Sequence, residues 1–217
     1  MDNNKITSNN TRNLINNPKI FRFKCTMCGK CCSDSSTFVN LTFLDIIRIK
    51  KFLNLTPQEL LNYVGFYTFK EDEVPPKFME RMMLNPVLTE RGSAFLGLLK
   101  DDHSRCLFLG RDNKCTIYNS RPQICRAFPF TYTLNETENQ KQKLNLIYAS
   151  KALEYCPGIS KHAPIVKKRK KLKLIRKIIL EIEKDKQIVT KWNKKIKNNE
   201  IEPKATSYIL FLAKLDN

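Results

Sequence analysis

The feature that most constrains this chain is a run of four cysteines within eight residues, Cys25, Cys28, Cys31 and Cys32. A thiolate-bound metal needs several sulfurs within about 2.3 Å of it, and short turns supply them most easily. Gly29 lies inside the run and predicts a turn-like conformation. The run therefore predicts a turn that carries metal ligands.

Four further cysteines follow it along the chain: Cys106, Cys115, Cys125 and Cys156. Neighbouring side chains usually diverge, so Cys31 and Cys32 are not expected to face one tetrahedral ion. Eight thiolates fit two four-thiolate sites, and they equally fit one four-thiolate cluster with additional structural or redox thiols. In a ferredoxin-like run the last ligand is distant and precedes a proline, and Cys156-Pro157 fits that description.

The choice of metal rests on spacing, because sulfur-only ligation suits zinc and iron–sulfur clusters alike. Paired CxxC knuckles would favour zinc, whereas this chain has a triple x2 run and a doubled cysteine. We therefore favour an iron–sulfur cluster as the cofactor, with zinc or iron ions as the alternative. His103 and His162 lie near cysteines, but solvent-exposed histidines are the simpler interpretation because eight thiols already suffice for four-coordination.

The compartment bears on the cysteines as well. The first 17 residues contain no apolar core of a secretory signal, and no run approaches the ~18 apolar residues of a membrane span. We expect a cytoplasmic protein without a membrane span, where thiols stay reduced and clustered cysteines indicate metal or redox chemistry. The apolar content of 41% is enough for a core without disulfides, so a disulfide framework is disfavoured.

The local patterns predict an α+β fold, a small and mostly helical domain with short antiparallel strands, cysteine-bearing loops and a long basic C-terminal helix. Thr42 and Thr56 are predicted to cap two helices between 42 and 65, and 66–90 is predicted as loop because of its prolines. Strands are predicted at 94–99 paired with 106–109, a turn is predicted at 110–114, and a second hairpin is predicted from 128–134 paired with 144–149. An amphipathic helix is predicted over 165–197.

These patterns divide the chain into three segments. Residues 1–19 are Asn-rich and lack the apolar area to offset ordering entropy, which predicts a disordered tail. Residues 20–160 hold all eight cysteines and form the predicted metal-binding domain. Residues 161–217 form the predicted basic helical extension, with 17 Lys and Arg against 6 Asp and Glu, within a chain of net charge +18.

The basic stretch at 167–177 fits the phosphates of nucleic acid or an anionic membrane surface. The plainer interpretation, favoured from the sequence, is the solvated face of a lysine-rich helix. Trp192 and the aliphatic stripe of the same helix are predicted to pack on the core or on a partner protein's helix. Motifs for sequence-specific nucleic-acid binding do not accompany the stretch.

Two arginines flank Cys125 and are candidates for contacts to a bound cofactor. Arg121 and Arg126 lie four residues before and one residue after it. A four-thiolate centre is negatively charged, so these guanidinium groups could offset its charge and donate N–H···S bonds. The alternative is that they pair with carboxylates such as Asp34 or Asp45.

Three ordered motifs give the chain a family resemblance. They are Phe23-x-Cys25-x2-Cys28-Gly29-x-Cys31-Cys32, then Cys115-x-Ile117-Tyr118-x2-Arg121-Pro122-x2-Cys125-Arg126-x-Phe128-Pro129, and last Cys156-Pro157-Gly158. Together they resemble the YkgJ-like cysteine-cluster family, also called the CxxCxxCC or putative zinc- or iron-chelating domain family, over roughly residues 21–160. The resemblance implies metal chelation by the motif cysteines and no established reaction.

Three functions remain open at this stage. The first is a metal-binding protein with an iron–sulfur cluster, zinc or iron held by the eight cysteines. The second is a metal-dependent enzyme that modifies another protein, although no paired carboxylates, serine triad or phosphate loop identifies catalytic residues. The third is a zinc-stabilised module that binds nucleic acid through the basic extension.

Overall fold

Helices alternate with short antiparallel strands in the computed structural model, which describes residues 20–69, 82–136 and 142–215, and of 136 and 142 the backbone alone. Within these residues the helices are α1 (Lys30–Ser33), α2 (Phe43–Leu53), α3 (Pro57–Leu60), α4 (Gln123–Ala127), α5 (Ser150–Tyr155), α6 (Lys168–Lys197) and α7 (Ala205–Lys214). The strands are β1 (Val64–Tyr67), β2 (Val87–Thr89), β3 (Gly92–Leu98), β4 (Phe130–Glu136) and β5 (Gln142–Tyr148), and a 3₁₀ turn spans Tyr118–Ser120. The predicted α+β class is confirmed.

Internal contacts divide the chain into two compact units. The first comprises Met1–Cys31 with Arg126–Lys177, and the second comprises Cys32–Cys125 with Ile178–Asn217. Each unit therefore combines an earlier and a later segment of the chain. The three sequence segments stay a prediction, and the predicted disordered tail at 1–19 lies outside the described residues.

The first unit is organised around the hairpin of β4 and β5. The two strands are antiparallel, with Phe130 opposite Tyr148, which confirms the predicted second hairpin; its connecting residues 137–141 lie outside the described part. The rings of Phe21, Phe130 and Tyr148 pack together with centroids 5.2–5.8 Å apart. The Tyr148 hydroxyl accepts from the backbone N–H of Arg22 and donates to its carbonyl, both at 2.8 Å, and so fixes the segment that leads to Cys25.

The second unit contains a three-stranded antiparallel sheet in the order β1-β3-β2. The prediction for 94–99 is confirmed by β3, but its strand partners are β1 and β2. The predicted pairing with 106–109 is reduced to an isolated bridge between Lys100 and Cys106 and the hydrogen bond from the Leu107 N–H to the Leu99 carbonyl. The loop prediction for 66–90 is wrong at 66–67 and 87–89, which belong to β1 and β2, and residues 70–81 lie outside the described part of the chain. The reason is that β3 is apolar on both faces and buried from Ala94 to Leu98. It therefore lies at the centre of the sheet, with β1 and β2 on either side of it.

The two predicted capped helices precede this sheet. Thr42 and Thr56 each form a capping box, with Asp45 and with Glu59, so both predicted N-termini are confirmed. The buried side of α2 carries Phe43, Ile46 and Ile49, while Phe52 stays 46% exposed.

The core of the second unit is completed by α6 and α7. Trp192 of α6 is 1% exposed, and its indole N–H donates to the Leu88 carbonyl at 2.9 Å. Its ring packs against Tyr208 of α7 at 5.1 Å. The predicted core role of Trp192 is therefore confirmed. Of the helices described, none combines the length and the apolar content that a bilayer crossing requires.

Candidate metal centres

The first cysteine run forms an exposed turn, as predicted. Met27 and Gly29 both have left-handed backbone conformations, with φ of 51° and 72°. Such residues curl the chain tightly and direct successive side chains inward or outward. Cys25, Cys28 and Cys31 are all exposed, and α1 begins at Lys30, within the run.

Cys156 is held beside this turn by backbone pairing within the first unit. Lys24, which precedes Cys25, donates its N–H to the Gly158 carbonyl at 3.1 Å, and Phe23 donates to the Pro164 carbonyl at 3.1 Å. A Cβ at position 158 would lie only 2.4 Å from the Lys24 carbonyl oxygen. The close approach explains the glycine two residues after Cys156, because any larger residue would push the two segments apart.

The pKa of the Cys156 thiol is raised by its surroundings in the first unit. Partial burial is the main cause that raises the pKa of the Cys156 thiol, while the backbone N–H groups of Gly158 and Ile159 lower it. Cys28 and Cys31 raise the pKa further as neighbouring like charges. A cation bound among these sulfurs would reverse that repulsion and favour the thiolates.

The second unit holds the remaining four cysteines. Cys106 donates its backbone N–H to the Cys32 carbonyl at 2.8 Å. Leu109 pairs with Cys115 in an isolated bridge across the turn at 110–114, which is closed by the Gly110 N–H on the Lys114 carbonyl at 2.8 Å. The predicted turn is therefore confirmed, and it returns the chain toward Cys106. Both Cys106 and Cys115 are partly buried against the apolar core.

Cys125 lies on α4, whose start is anchored by a buried polar network. The Gln123 N–H donates to the Asp45 carboxylate at 2.9 Å, and the Gln123 amide donates to Glu181 at 3.1 Å. Arg48 forms two hydrogen bonds to Glu181, at 2.7 and 3.0 Å. Because Asp45, Gln123 and Glu181 are buried, these bonds fix the position of α4 more firmly than surface pairs would.

Lys100 is a charged neighbour of Cys106 that the sequence did not identify. Its ammonium donates to the carbonyls of Asp34 and Ser35 at 2.7 and 3.1 Å. Partial burial lowers the pKa of Lys100, and the negative charges of Asp34 and Cys106 oppose that shift. Cys106 also contributes to the raised pKa of Tyr67, after burial. Lys100 precedes Cys106 by six residues in a polar segment, and no motif in the sequence links the two residues.

The two predicted arginines fall in different units. Arg121, in the second, lies over the Tyr118 ring at 3.9 Å, and its buried Nε has no hydrogen-bond partner. Arg126, in the first, is exposed on α4. The carboxylate of Asp45 pairs with Arg48. The Nε of Arg121 is thus a buried donor available to a nearby acceptor.

The donor set fits a thiophilic metal by its chemistry. The eight cysteines are exposed or partly buried, and His103 and His162 are exposed. The structure places Cys25, Cys28, Cys31 and Cys156 in the first unit and Cys32, Cys106, Cys115 and Cys125 in the second. Across 20–69, 82–136 and 142–215 no three Cys, His, Asp or Glu side chains already stand at ligand positions.

Comparisons with known proteins agree with a role of these cysteines in metal chelation. Residues 24–156 match the family described as "CxxCxxCC: Putative zinc- or iron-chelating domain". The "Uncharacterized protein MJ0661" of Methanocaldococcus jannaschii is 29% identical over 139 residues, which cover 63% of this chain and 58% of that protein. The aligned part is thus less than two thirds of that relative's length. No solved structure matches the chain.

Proposed function

Since the chain belongs to the CxxCxxCC family of metal-chelating domains, we propose that it binds metal as two separate four-thiolate centres, each with an iron–sulfur cluster. The first centre uses Cys25, Cys28, Cys31 and Cys156. The second uses Cys32, Cys106, Cys115 and Cys125. When bound, such clusters supply one-electron redox chemistry, which serves electron transfer or sensing.

One observation carries this proposal: the boundary between the two compact units falls between Cys31 and Cys32 and leaves four cysteines in each. Four thiolates complete a tetrahedral ion or a cubane cluster. Adjacent side chains rarely bind the same centre. With two centres, Cys31 and Cys32 each bind a different one.

The surroundings of each set support an anionic centre. Lys100 interacts electrostatically with Cys106 in the second unit, and the Nε of Arg121, four residues before Cys125, is an unused buried donor. In the first unit, Arg126 and Lys24 adjoin cysteines in sequence. Positive groups of this kind offset the net negative charge of four thiolates and tune cluster potentials.

The spacing favours iron–sulfur over zinc. The run Cys25-x2-Cys28-x2-Cys31, with Cys156-Pro157 as the distant fourth ligand, has the order of a bacterial ferredoxin run. The exposure of Cys25, Cys28 and Cys31 also suits assembly, because a cluster must be delivered to accessible thiols.

The test is an iron, zinc and acid-labile sulfide analysis with a visible spectrum, on protein purified without oxygen. We expect iron with equal sulfide and broad absorption near ~400 nm. Two double variants, Cys25→Ser with Cys28→Ser and Cys115→Ser with Cys125→Ser, should each lose half of the iron and sulfide.

Other outcomes would contradict specific parts of the proposal. Zinc without sulfide would refute the clusters and leave thiolate chelation. Complete loss of metal from both variants would refute two centres and indicate one shared centre. Absence of bound metal from the unmodified protein, even after anaerobic reconstitution with iron and sulfide, would refute chelation by these cysteines.

A further inference from the structure

The first turns of α6 concentrate positive charge to a degree that metal binding does not require. Eight of the eleven residues from 167 to 177 are Lys or Arg, and no Asp or Glu occurs between residues 155 and 180. The rest of the helix is different, because Glu181, Glu183 and Asp185 follow at once.

These charges face solvent on the first unit. Lys167, Arg169, Lys170, Lys173 and Arg176 are exposed, whereas the apolar side is turned inward, with Ile175 only 2% exposed. Lys168 and Lys171 lie over the rings of Phe21 and Phe130, at 5.8 and 5.2 Å from their centroids. The inner side of the helix is therefore fixed to the hairpin core, and the basic side is presented outward.

This clustered positive charge destabilises the start of α6 when no anion is bound. The first turn of α6 contains no acidic residue, and cations near a helix N-terminus oppose the positive end of its dipole. Within the described residues, neither Arg169, Lys170, Lys173 nor Arg176 forms an ion pair, whereas Lys186, farther along, pairs with Glu183 at 2.9 Å. A bound polyanion would relieve both the mutual repulsion and the unfavourable dipole.

We propose that this basic surface, residues 167–177, binds the phosphate backbone of duplex nucleic acid without sequence preference. The segment spans about 15 Å at ~1.5 Å per residue, and over that length a duplex carries roughly nine charges, at one per ~1.7 Å. The six cations that do not lie over the rings of Phe21 and Phe130 carry about two thirds of that charge. The inference does not depend on which metal the thiolates hold.

Two features favour nucleic acid over a lipid surface and explain the lack of sequence preference. The apolar side chains of the segment, Leu172, Leu174 and Ile175, are buried or partly buried, so the segment itself has none to insert into a bilayer, and the strongly exposed Leu180 of α6 lies beyond it. The segment also contains no Asn or Gln, the side chains that pair with adenine edges, and six of its eight cations are lysines, which act as point charges on phosphates.

The experiment measures fluorescence anisotropy of a labelled 20-base-pair DNA duplex of mixed sequence, titrated with the full chain at salt concentrations from 50 to 200 mM. The triple variant Arg169→Gln, Lys173→Gln, Arg176→Gln is compared with a control that changes the same charge farther along α6: Lys184→Gln, Lys191→Gln, Lys194→Gln. All six residues are exposed, and glutamine is about as good a helix former as lysine or arginine. Both variants should therefore fold and keep the metal content of the unmodified protein.

We expect the first variant to bind on the order of 100-fold more weakly at 100 mM salt, and to reduce the slope of log K against log salt by about 3, whereas the control changes little. Equal losses in both variants would overturn the proposal, because net charge alone would then explain binding. Failure to bind duplex at 50 mM salt would overturn it as well. Tighter binding to vesicles with 30% phosphatidylserine than to duplex at 150 mM salt would reassign the surface to membranes.

Discussion

Gly158→Ala is the sharpest perturbation of the first centre, because it replaces no ligand and adds a single methyl group. The added Cβ would lie 2.4 Å from the Lys24 carbonyl oxygen and 2.8 Å from a ring carbon of Phe23. To restore an ordinary contact, the two segments must part by about 1 Å. Cys156 would then move away from Cys28 and Cys31.

The cost follows from two contributions. Overpacking of a well-packed position costs about 1–3 kcal/mol. The hydrogen bond from the Lys24 N–H to the Gly158 carbonyl, now 3.1 Å, would stretch beyond bonding range, at about 1 kcal/mol. A total of about 2–4 kcal/mol weakens assembly of the four-thiolate set by roughly 30- to 700-fold.

The assay is anaerobic competition for the bound iron by a chelator, followed by optical absorption. We expect the variant to lose half of its iron at chelator concentrations that the unmodified protein withstands, with the other half unaffected. Gly110→Ala is the matched control, because its Cβ would come no closer than 3.0 Å, to the flexible Asp112 side chain. If Gly158→Ala retains all its iron as firmly as the control does, Cys156 is not a ligand of the first centre.

Three further predictions concern the second unit. Burial raises the pKa of Asp185 to about 7, so the folded chain holds this proton where the unfolded chain, with a pKa near ~4, has lost it. The free energy of unfolding should therefore fall as pH rises from 4 to 7, by at most about 4 kcal/mol. In urea denaturation, Asp185→Asn should remove this part of the pH dependence. If the variant keeps the pH profile of the unmodified protein, Asp185 is not the source of the dependence. Trp192→Ala should cost about 3–5 kcal/mol by cavity formation and loss of the bond to Leu88, measured in the same way at fixed pH; a loss below ~1 kcal/mol would show that the site is loosely packed. Lys100→Gln should lower the reduction potential of the second centre alone in anaerobic redox titration, because a positive charge near Cys106 favours the more negative reduced cluster; equal shifts in both centres would contradict a local effect.

Local sequence signals predicted the elements that depend on local chemistry. The capping boxes at Thr42 and Thr56 and the turn at 110–114 each use hydrogen bonds within a few residues, and all three are present. The long helix is likewise present, because its apolar period is set by one stretch of chain. The pairing of β3 was predicted wrongly, since the choice of strand partners depends on which distant segments bury an apolar strand.

The candidate site shows the same division. The identity of the eight thiols, their sulfur-only chemistry and the separation of Cys31 from Cys32 follow from the sequence, because they depend on residue type and on the divergence of adjacent side chains.

Only the tertiary structure showed that each of two compact units holds four cysteines, and that the segment after Cys156 contacts the segment before Cys25 through backbone contact at a glycine. It alone revealed Lys100 beside Cys106. The physical reason is that metal-site chemistry belongs to residue type, whereas proximity between distant segments is decided by how the whole core packs, which no local pattern records.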